Sequence, residues 1–173
     1  MPRVYTSTSR VAVPDPLLSA EDADLKSWCW RIGTNGYVVR GERREAGRPR
    51  SGVRLHTEVL ERVIGRTLRQ GELVDHINGV KADNRRENLR LANKSQNAIN
   101  SKPRGGTSRY RGVSWSSERS LFQTYINSSG QRLPIGRFNS EDEAAWMYDQ
   151  FAIELHGDFA RLNLDYLEVE AQR

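Results

Sequence analysis

A single cysteine, Cys29, is all the sequence carries, so neither a disulfide framework nor a cysteine-ligated zinc cluster is open to it. A reducing compartment suits such a chain. Lysine is nearly as scarce, with only Lys26, Lys81, Lys94 and Lys102 set against 23 arginines. No apolar run approaches the roughly 20 residues of a membrane span, and the N-terminus lacks the basic-then-apolar order of a secretory signal. The expectation is a cytoplasmic protein without a membrane partner.

What is present is polar but foldable: 36% of the 173 residues are hydrophobic, 14 are glycine, and the mean hydropathy is −0.74. That length holds one ordinary domain or two small ones with thin cores, and two small units are expected. The net charge is +5 and the pI about 9.6. Guanidinium groups grip phosphate bidentately and stack on bases, so arginine in this excess suits a nucleic-acid surface. The arginine bias of a GC-rich genome is the plainer source of the same excess, and motifs must decide between the two.

Residues 1–18 hold Pro2, Pro14 and Pro16 among serine and threonine and read as an extended or mobile lead-in. Ser19-Ala20-Glu21-Asp22 places a carboxylate three residues after a serine, which predicts a capped short helix through Lys26. Trp28, Trp30 and Ile32 alternate with Cys29 and Arg31 as in a half-buried strand, and Asn35-Gly36 predicts a hairpin turn into Tyr37-Val38-Val39. The Arg/Gly-dense stretch from Arg40 to Arg54, with Arg43 and Arg44, reads as an exposed basic loop suited to tracking phosphates. Val59, Leu60, Val63 and Ile64 then recur at helical spacing up to Gly65, and that stripe is expected to be core.

The sharpest segment runs from Leu73 to Asn100. Leu73-Val74 reads as a strand ending in Asp75-His76, Asn88 to Leu91 as a returning strand, and Asn93 with Gln96 as the cap of a helix whose first turn holds Asn97. Folded back on itself, this order lets Asp75 and Asn97 face each other as two hard oxygen ligands for a divalent cation, Mg²⁺ or another such as Mn²⁺. His76, on the strand's opposite face, stays outside that ligand set and is available as a base. The plainer alternative makes Asp75, His76, Asn84 and Asn88 turn residues that satisfy backbone groups. It accounts for Asn78-Gly79 and Asn84 but not for the whole set.

These residues, at this spacing, resemble the HNH nuclease motif, the ββα-metal fold, in its Asp-His…Asn…Asn form found among phage and intron-encoded homing endonucleases. The resemblance covers roughly residues 15–100. It implies that His76 deprotonates the attacking water, and that a metal on Asp75 and Asn97 holds the scissile phosphate and stabilises the departing 3′ oxygen. It also implies that the Asn88 amide supports catalysis by pinning the loop and keeping the histidine oriented. Asn97 stands where the family often has histidine, so the ligand set is oxygen-only and zinc is disfavoured. His56, before an apolar helix, is expected to pack or orient, and His156, before Gly157, to be structural.

Residues 101–108, rich in Ser, Pro and Gly, mark a linker. Beyond it, Arg109 to Trp115, Phe122 to Asn127 and Arg132 to Phe138 predict three strands. Ser140-Glu141-Asp142-Glu143 then opens an amphipathic helix that Gly157 stops. Tyr110-Arg111-Gly112-Val113, Ile135-Gly136-Arg137-Phe138, Glu143-Ala144-Ala145, Tyr148-Asp149 and Leu162-Asn163 together resemble an AP2 domain over about residues 109–164. That resemblance implies a three-stranded sheet in the major groove, with Arg111, Trp115, Tyr125, Asn127, Arg132 and Arg137 as DNA contacts. Packing within a small sheet is the competing role for Trp115 and Tyr125. Phe122, Ile126, Phe138, Trp146 and Phe151 are expected core. Ser114 and Ser116 replace residues that are usually basic in plant members, which implies tolerance of DNA sequence.

The sequence thus predicts an α+β chain: an extended segment at 1–18, an HNH nuclease domain at 19–100, and a linker at 101–108. An AP2-like three-stranded antiparallel sheet packed on one helix follows at 109–165, then a tail at 166–173. The expected activity is homing-type endonuclease hydrolysis of double-stranded DNA by a cytoplasmic protein, in a phage-infected host, with a monomer favoured. A DNA-binding regulator on a decayed nuclease scaffold is the rival. An RNA-processing nuclease is a third reading, disfavoured by the sparse base-stacking aromatics.

Overall fold

The computed structural model describes residues 4–6, 12–13, 17–41, 52–101 and 106–164. Arg43 and Arg44, part of the expected linker and the tail at 166–173 lie outside the described residues. The chain divides into two compact units, Met1–Asn97 and Ala98–Arg173.

In the first unit β1 (Val4–Thr6), β2 (Ala12–Val13), β3 (Arg31–Ile32), β4 (Val38–Arg40) and β5 (Val53–Arg54) form a sheet in the order β2-β1-β3-β4-β5. It is antiparallel except where β1 meets β3, so the lead-in supplies two strands. The Asn35-Gly36 turn joins β3 to β4. Gly36 takes a φ of 82°, and the Gly33 amide donates to the Tyr37 carbonyl at 2.8 Å. The strand expected from Trp28 begins only at Arg31. Trp30 is buried and donates its indole N–H to the Leu25 carbonyl at 2.7 Å, while Trp28 is half exposed beneath the Arg40 guanidinium.

Ser19 precedes a 3-10 helix, Ala20–Ser27, but the expected capping box is not made. The Ser19 hydroxyl instead accepts from the Arg86 amide at 2.9 Å, and the fully buried Asp22 carboxylate takes Arg86 Nε at 2.7 Å. A buried carboxylate needs a cation more than a helix end needs a cap, which is why a distant arginine overrides the local pattern.

α1 (Leu55–Ile64) follows β5 directly and ends on left-handed Gly65 (φ 70°). Leu55, Val59 and Leu60 bury against Leu25, Trp30, Val38, Val74 and Leu89. Val63, expected in that stripe, is 48% exposed, while its neighbour Ile64 turns onto the core. β6 (Leu73–His76) and β7 (Leu89–Ala92) then form an antiparallel hairpin, with a 3-10 turn, Arg86–Asn88, leading into β7. α2 (Lys94–Ile99) opens on a reciprocal cap. Gln96 N–H donates to Asn93 Oδ1 at 2.9 Å, and Asn93 N–H to Gln96 Oε1 at 2.8 Å.

In the second unit β8 (Val113–Ser116), β9 (Leu121–Ser128) and β10 (Gln131–Phe138) form an antiparallel sheet in the order β10-β9-β8. α3 (Glu141–His156) packs on one face, and Ser140 caps it by accepting from the Glu143 amide. The face towards α3 carries Val113, Phe122, Thr124, Ile126 and Phe138, met by Ala144, Ala145, Tyr148 and Ala152. Trp146, expected in this core, stands on the helix's other side, because helical spacing turns Ala145 and Tyr148 inward. The protein is α+β, built from small, mostly antiparallel sheets and short helices.

Candidate active site

β6 ends on two buried ionisable residues that, as strand neighbours, leave opposite faces. His76 shares the face of Val74. Its ring meets the His56 ring of α1 edge-on at 5.1 Å and lies 6.0 Å from Tyr37, which itself packs on His56 at 4.8 Å. Burial pulls the His76 pKa below its ordinary value, outweighing the raising influence of the Asn84 side chain and the Asp75 and Asp83 carboxylates. The imidazole is therefore neutral near pH 7 and able to accept a proton.

The loop after His76 is fixed by side chains rather than by sheet pairing. Asn88 accepts from the Asn78 amide at 3.0 Å and donates through Nδ2 to the Asp83 carbonyl at 2.8 Å. Its own carbonyl takes the Ile77 N–H at 2.9 Å. Asn78 Nδ2 reaches Asp83 Oδ2 at 2.9 Å, and Arg85 grips the same carboxylate through Nε and Nη2. Asn88 thus ties both limbs of the loop beside the histidine.

Asp75 leaves the other face. Arg90, its cross-strand partner in the register, lies with Nε 2.8 Å and Nη2 2.7 Å from Asp75 Oδ2. The sequence predicts Asn97 as the partner of Asp75 and does not anticipate Arg90. Pairing across the hairpin is what brings that guanidinium onto the carboxylate. Asn97 itself is half-buried in α2. Among the described residues no group of three or more His, Cys, Asp or Glu is arranged to hold a metal. The chemistry of Asp75 with Asn97 nevertheless suits a hard ion such as Mg²⁺, which takes one or two protein oxygens and keeps water for the rest. Arg90 would share the carboxylate with it.

Tyr37, Asn84 and Arg90 belong to this site without having been singled out for it. The one advance signal was the expected packing role of His56, whose ring stands against His76. His56 is held neutral in the fold: burial first, then the charges of His76 and Arg54, push its pKa down to about 3. An unfolded histidine takes up a proton near pH 6.5, so acid favours the unfolded chain. The contribution of His56 to stability is complete above pH 6.5 and falls by about 1.4 kcal/mol per pH unit as pH drops towards 3. His76, shifted in the same direction, adds to the slope. Urea midpoints measured from pH 7 to 4.5 should decline accordingly, and His56→Gln should remove one proton's worth of that decline. Identical slopes in the two proteins would refute the assignment.

The strand register of the second unit sorts its candidate residues. Ser114, Gln123, Tyr125, Asn127, Arg132 and Arg137 share the sheet face that turns away from α3. On it the Arg132 guanidinium lies 4.1 Å from the Tyr125 ring centroid, and the Tyr125 hydroxyl donates to Gln123 Oε1. Trp115 pairs with Phe122 on the opposite face, meets its ring edge-on at 4.8 Å and is 41% exposed. Arg111 lies before β8, off that face. Its backbone is bracketed by the Asn163 carboxamide, and its side chain reaches Ser101 and the Tyr148 hydroxyl.

A neutral imidazole at a strand end, a carboxylate on the strand's other side and an amide-pinned loop between the strands are thus gathered on one hairpin followed by a helix. Residues 53–99 match the family model of the HNH endonucleases. The chain is 31% identical over 139 residues to an uncharacterized HNH endonuclease of Acanthamoeba polyphaga mimivirus, covering 80% of this chain and 68% of that relative. It is also 35% identical over 109 residues to protein 3.8 of Escherichia phage T7, covering 62% of this chain and 88% of that protein. The chain belongs to the HNH endonuclease family. Membership implies DNA as the bound macromolecule and, in general, a divalent metal. Among the described residues no helix is long and apolar enough to cross a membrane.

Proposed function

We propose that this protein is a metal-dependent, homing-type endonuclease of double-stranded DNA, with the second unit serving as an AP2-like module that positions the first. The observation that carries this reading is the neutral, buried His76 packed against Tyr37 and His56 beside a loop locked by Asn88. In that role His76 takes a proton from the attacking water and Asn88 is a positioning residue that keeps the loop in register. Asp75 and Asn97 would hold a divalent ion, Mg²⁺ or Mn²⁺, which when bound supplies positive charge to the scissile phosphate and the departing 3′ oxygen. The products are a 5′-phosphate and a 3′-hydroxyl.

In the second unit, Tyr125, Asn127, Arg132 and Arg137 are the residues proposed to meet DNA, since they share one exposed face. Trp115 and Arg111 are proposed as further DNA contacts from beside that face. Phosphate contacts outnumber base contacts on such a face, which fits binding that tolerates sequence variation. Arg43 and Arg44 are proposed as further phosphate contacts on sequence grounds.

The close pairing of Asp75 with Arg90 is the one feature that favours the rival, a DNA-binding regulator whose nuclease scaffold has lapsed. Supercoiled plasmid separates the two. With Mg²⁺, open-circle or linear product is expected. EDTA should reduce it to background, and excess Mg²⁺ or Mn²⁺ should restore it. Retention of supercoiled plasmid under every condition, with binding intact, would establish the rival.

A further inference from the structure

Most arginines described in the first unit are neutralised. Arg40 pairs with Glu58, Arg62 with Asp24, Arg66 with Glu72, Arg85 with Asp83, Arg86 with Asp22 and Arg90 with Asp75. Arg54 and Lys81 have no such carboxylate among the described residues, yet they are gathered on one aromatic ring. The Lys81 ammonium lies 4.5 Å from the Tyr37 centroid and the Arg54 guanidinium carbon 5.8 Å from it. They reach it from separate elements, Arg54 from the junction of β5 and α1 and Lys81 from the loop after β6. Lys81 also donates to the Asn35 carbonyl at 2.7 Å, a contact that orients the ammonium without cancelling its charge. The ring beneath them is the one that packs on both His56 and His76.

Two uncompensated cations converging beside a catalytic base repel each other and gain little from a neutral fold. Their placement makes sense when an anion sits between them. We propose that Arg54 and Lys81, spread over Tyr37, form the binding site for the DNA backbone phosphate adjoining the one attacked beside His76. This rests on the nuclease reading above. Both cations are gathered on Tyr37, whose ring centroid lies 6.0 Å from that of His76, and this places them on the base's neighbour and not on the base itself. Stacking on the ring and the Asn35 contact order both side chains in advance, which lowers the entropy lost when the phosphate arrives.

The test measures binding of a short fluorescein-labelled duplex by the full chain carrying His76→Ala, so that no cutting intervenes, across a KCl series. Each phosphate contact contributes about 0.9 to the slope of log Kd against log salt. Lys81→Gln and Arg54→Gln should each lower that slope by about 0.9. Lys81→Arg should restore it, which excludes misfolding as the cause. Arg66→Gln removes the same charge from a neutralised pair and should leave the slope as it was. If the Lys81 and Arg54 variants behave like the Arg66 variant, the phosphate site is overturned. If their slopes fall as expected while the unmutated protein leaves plasmid uncut, the phosphate site stands and the nuclease reading fails. Absence of salt-dependent binding overturns both.

Discussion

His76→Ala is expected to lower plasmid cleavage by about 10³-fold, the scale of a lost general base, while the affinity for DNA is retained. The neighbouring imidazole is the obvious substitute, since His56 lies 5.1 Å away with its Nδ1 buried and lacking a hydrogen-bond partner. It cannot take over. A group whose pKa is pushed down to about 3 is too weak a base to draw a proton from water at neutral pH. Alanine also leaves a gap beside Tyr37 and His56, so some stability is lost, on the order of 2 kcal/mol. His76→Gln, which fills more of that space, should be more stable yet equally inactive. Added imidazole should recover part of the activity of His76→Ala but none of His76→Gln. Near-normal cutting by either variant would remove His76 from the mechanism.

The second large effect is expected in the other unit. Gly112 adopts a φ of 73°, its carbonyl accepts the Tyr125 amide at 2.8 Å, and a Cβ at this position would collide with both the Tyr148 ring and the Tyr125 carbonyl. The backbone cannot retreat, because Asn163 accepts from the Arg111 amide and donates to its carbonyl, and is itself held by the buried Asp149 carboxylate. Gly112→Ala therefore combines left-handed strain of about 1 kcal/mol with overpacking of roughly 1–3 kcal/mol. Stability of a small unit is about 5 kcal/mol, so most of it would go. The full-length variant should unfold its second unit at markedly lower urea while the first keeps its midpoint, read by limited proteolysis with mass mapping of the protected fragment. A single transition unchanged from the parent would contradict the close approach at Gly112.

What could be read in advance were devices that act over a few residues. The Asn93-Gln96 cap, the stop at Gly65, the turn at Asn35-Gly36 and the Ser140 cap each need only local geometry, and each is present. The hairpin bearing Asp75 and His76 was legible for the same reason. Whatever depends on register or on partners far along the chain was not. Arg90 meets Asp75 only once the strands are aligned, and Ser19 turns to Arg86, 67 residues away, instead of capping its own helix. Trp115 lies behind the sheet because its strand position matches that of Val113, an alternation that its own sequence leaves ambiguous until the first strand's start at Val113 is known.

Leu25, Trp30 and Val38 occupy the same core as Val59, Leu60, Val74 and Leu89. Asn84 donates its amide to the Leu17 carbonyl at 2.9 Å, and Arg86 is anchored by Ser19 and Asp22. The stretch that carries the family's signature, 53–99, is therefore not a portable cassette. Transplanted alone into another scaffold it would arrive without Leu25, Trp30 and Val38 of its interior and without the straps that steady the turn after His76. A working chimera would have to begin upstream of Leu17.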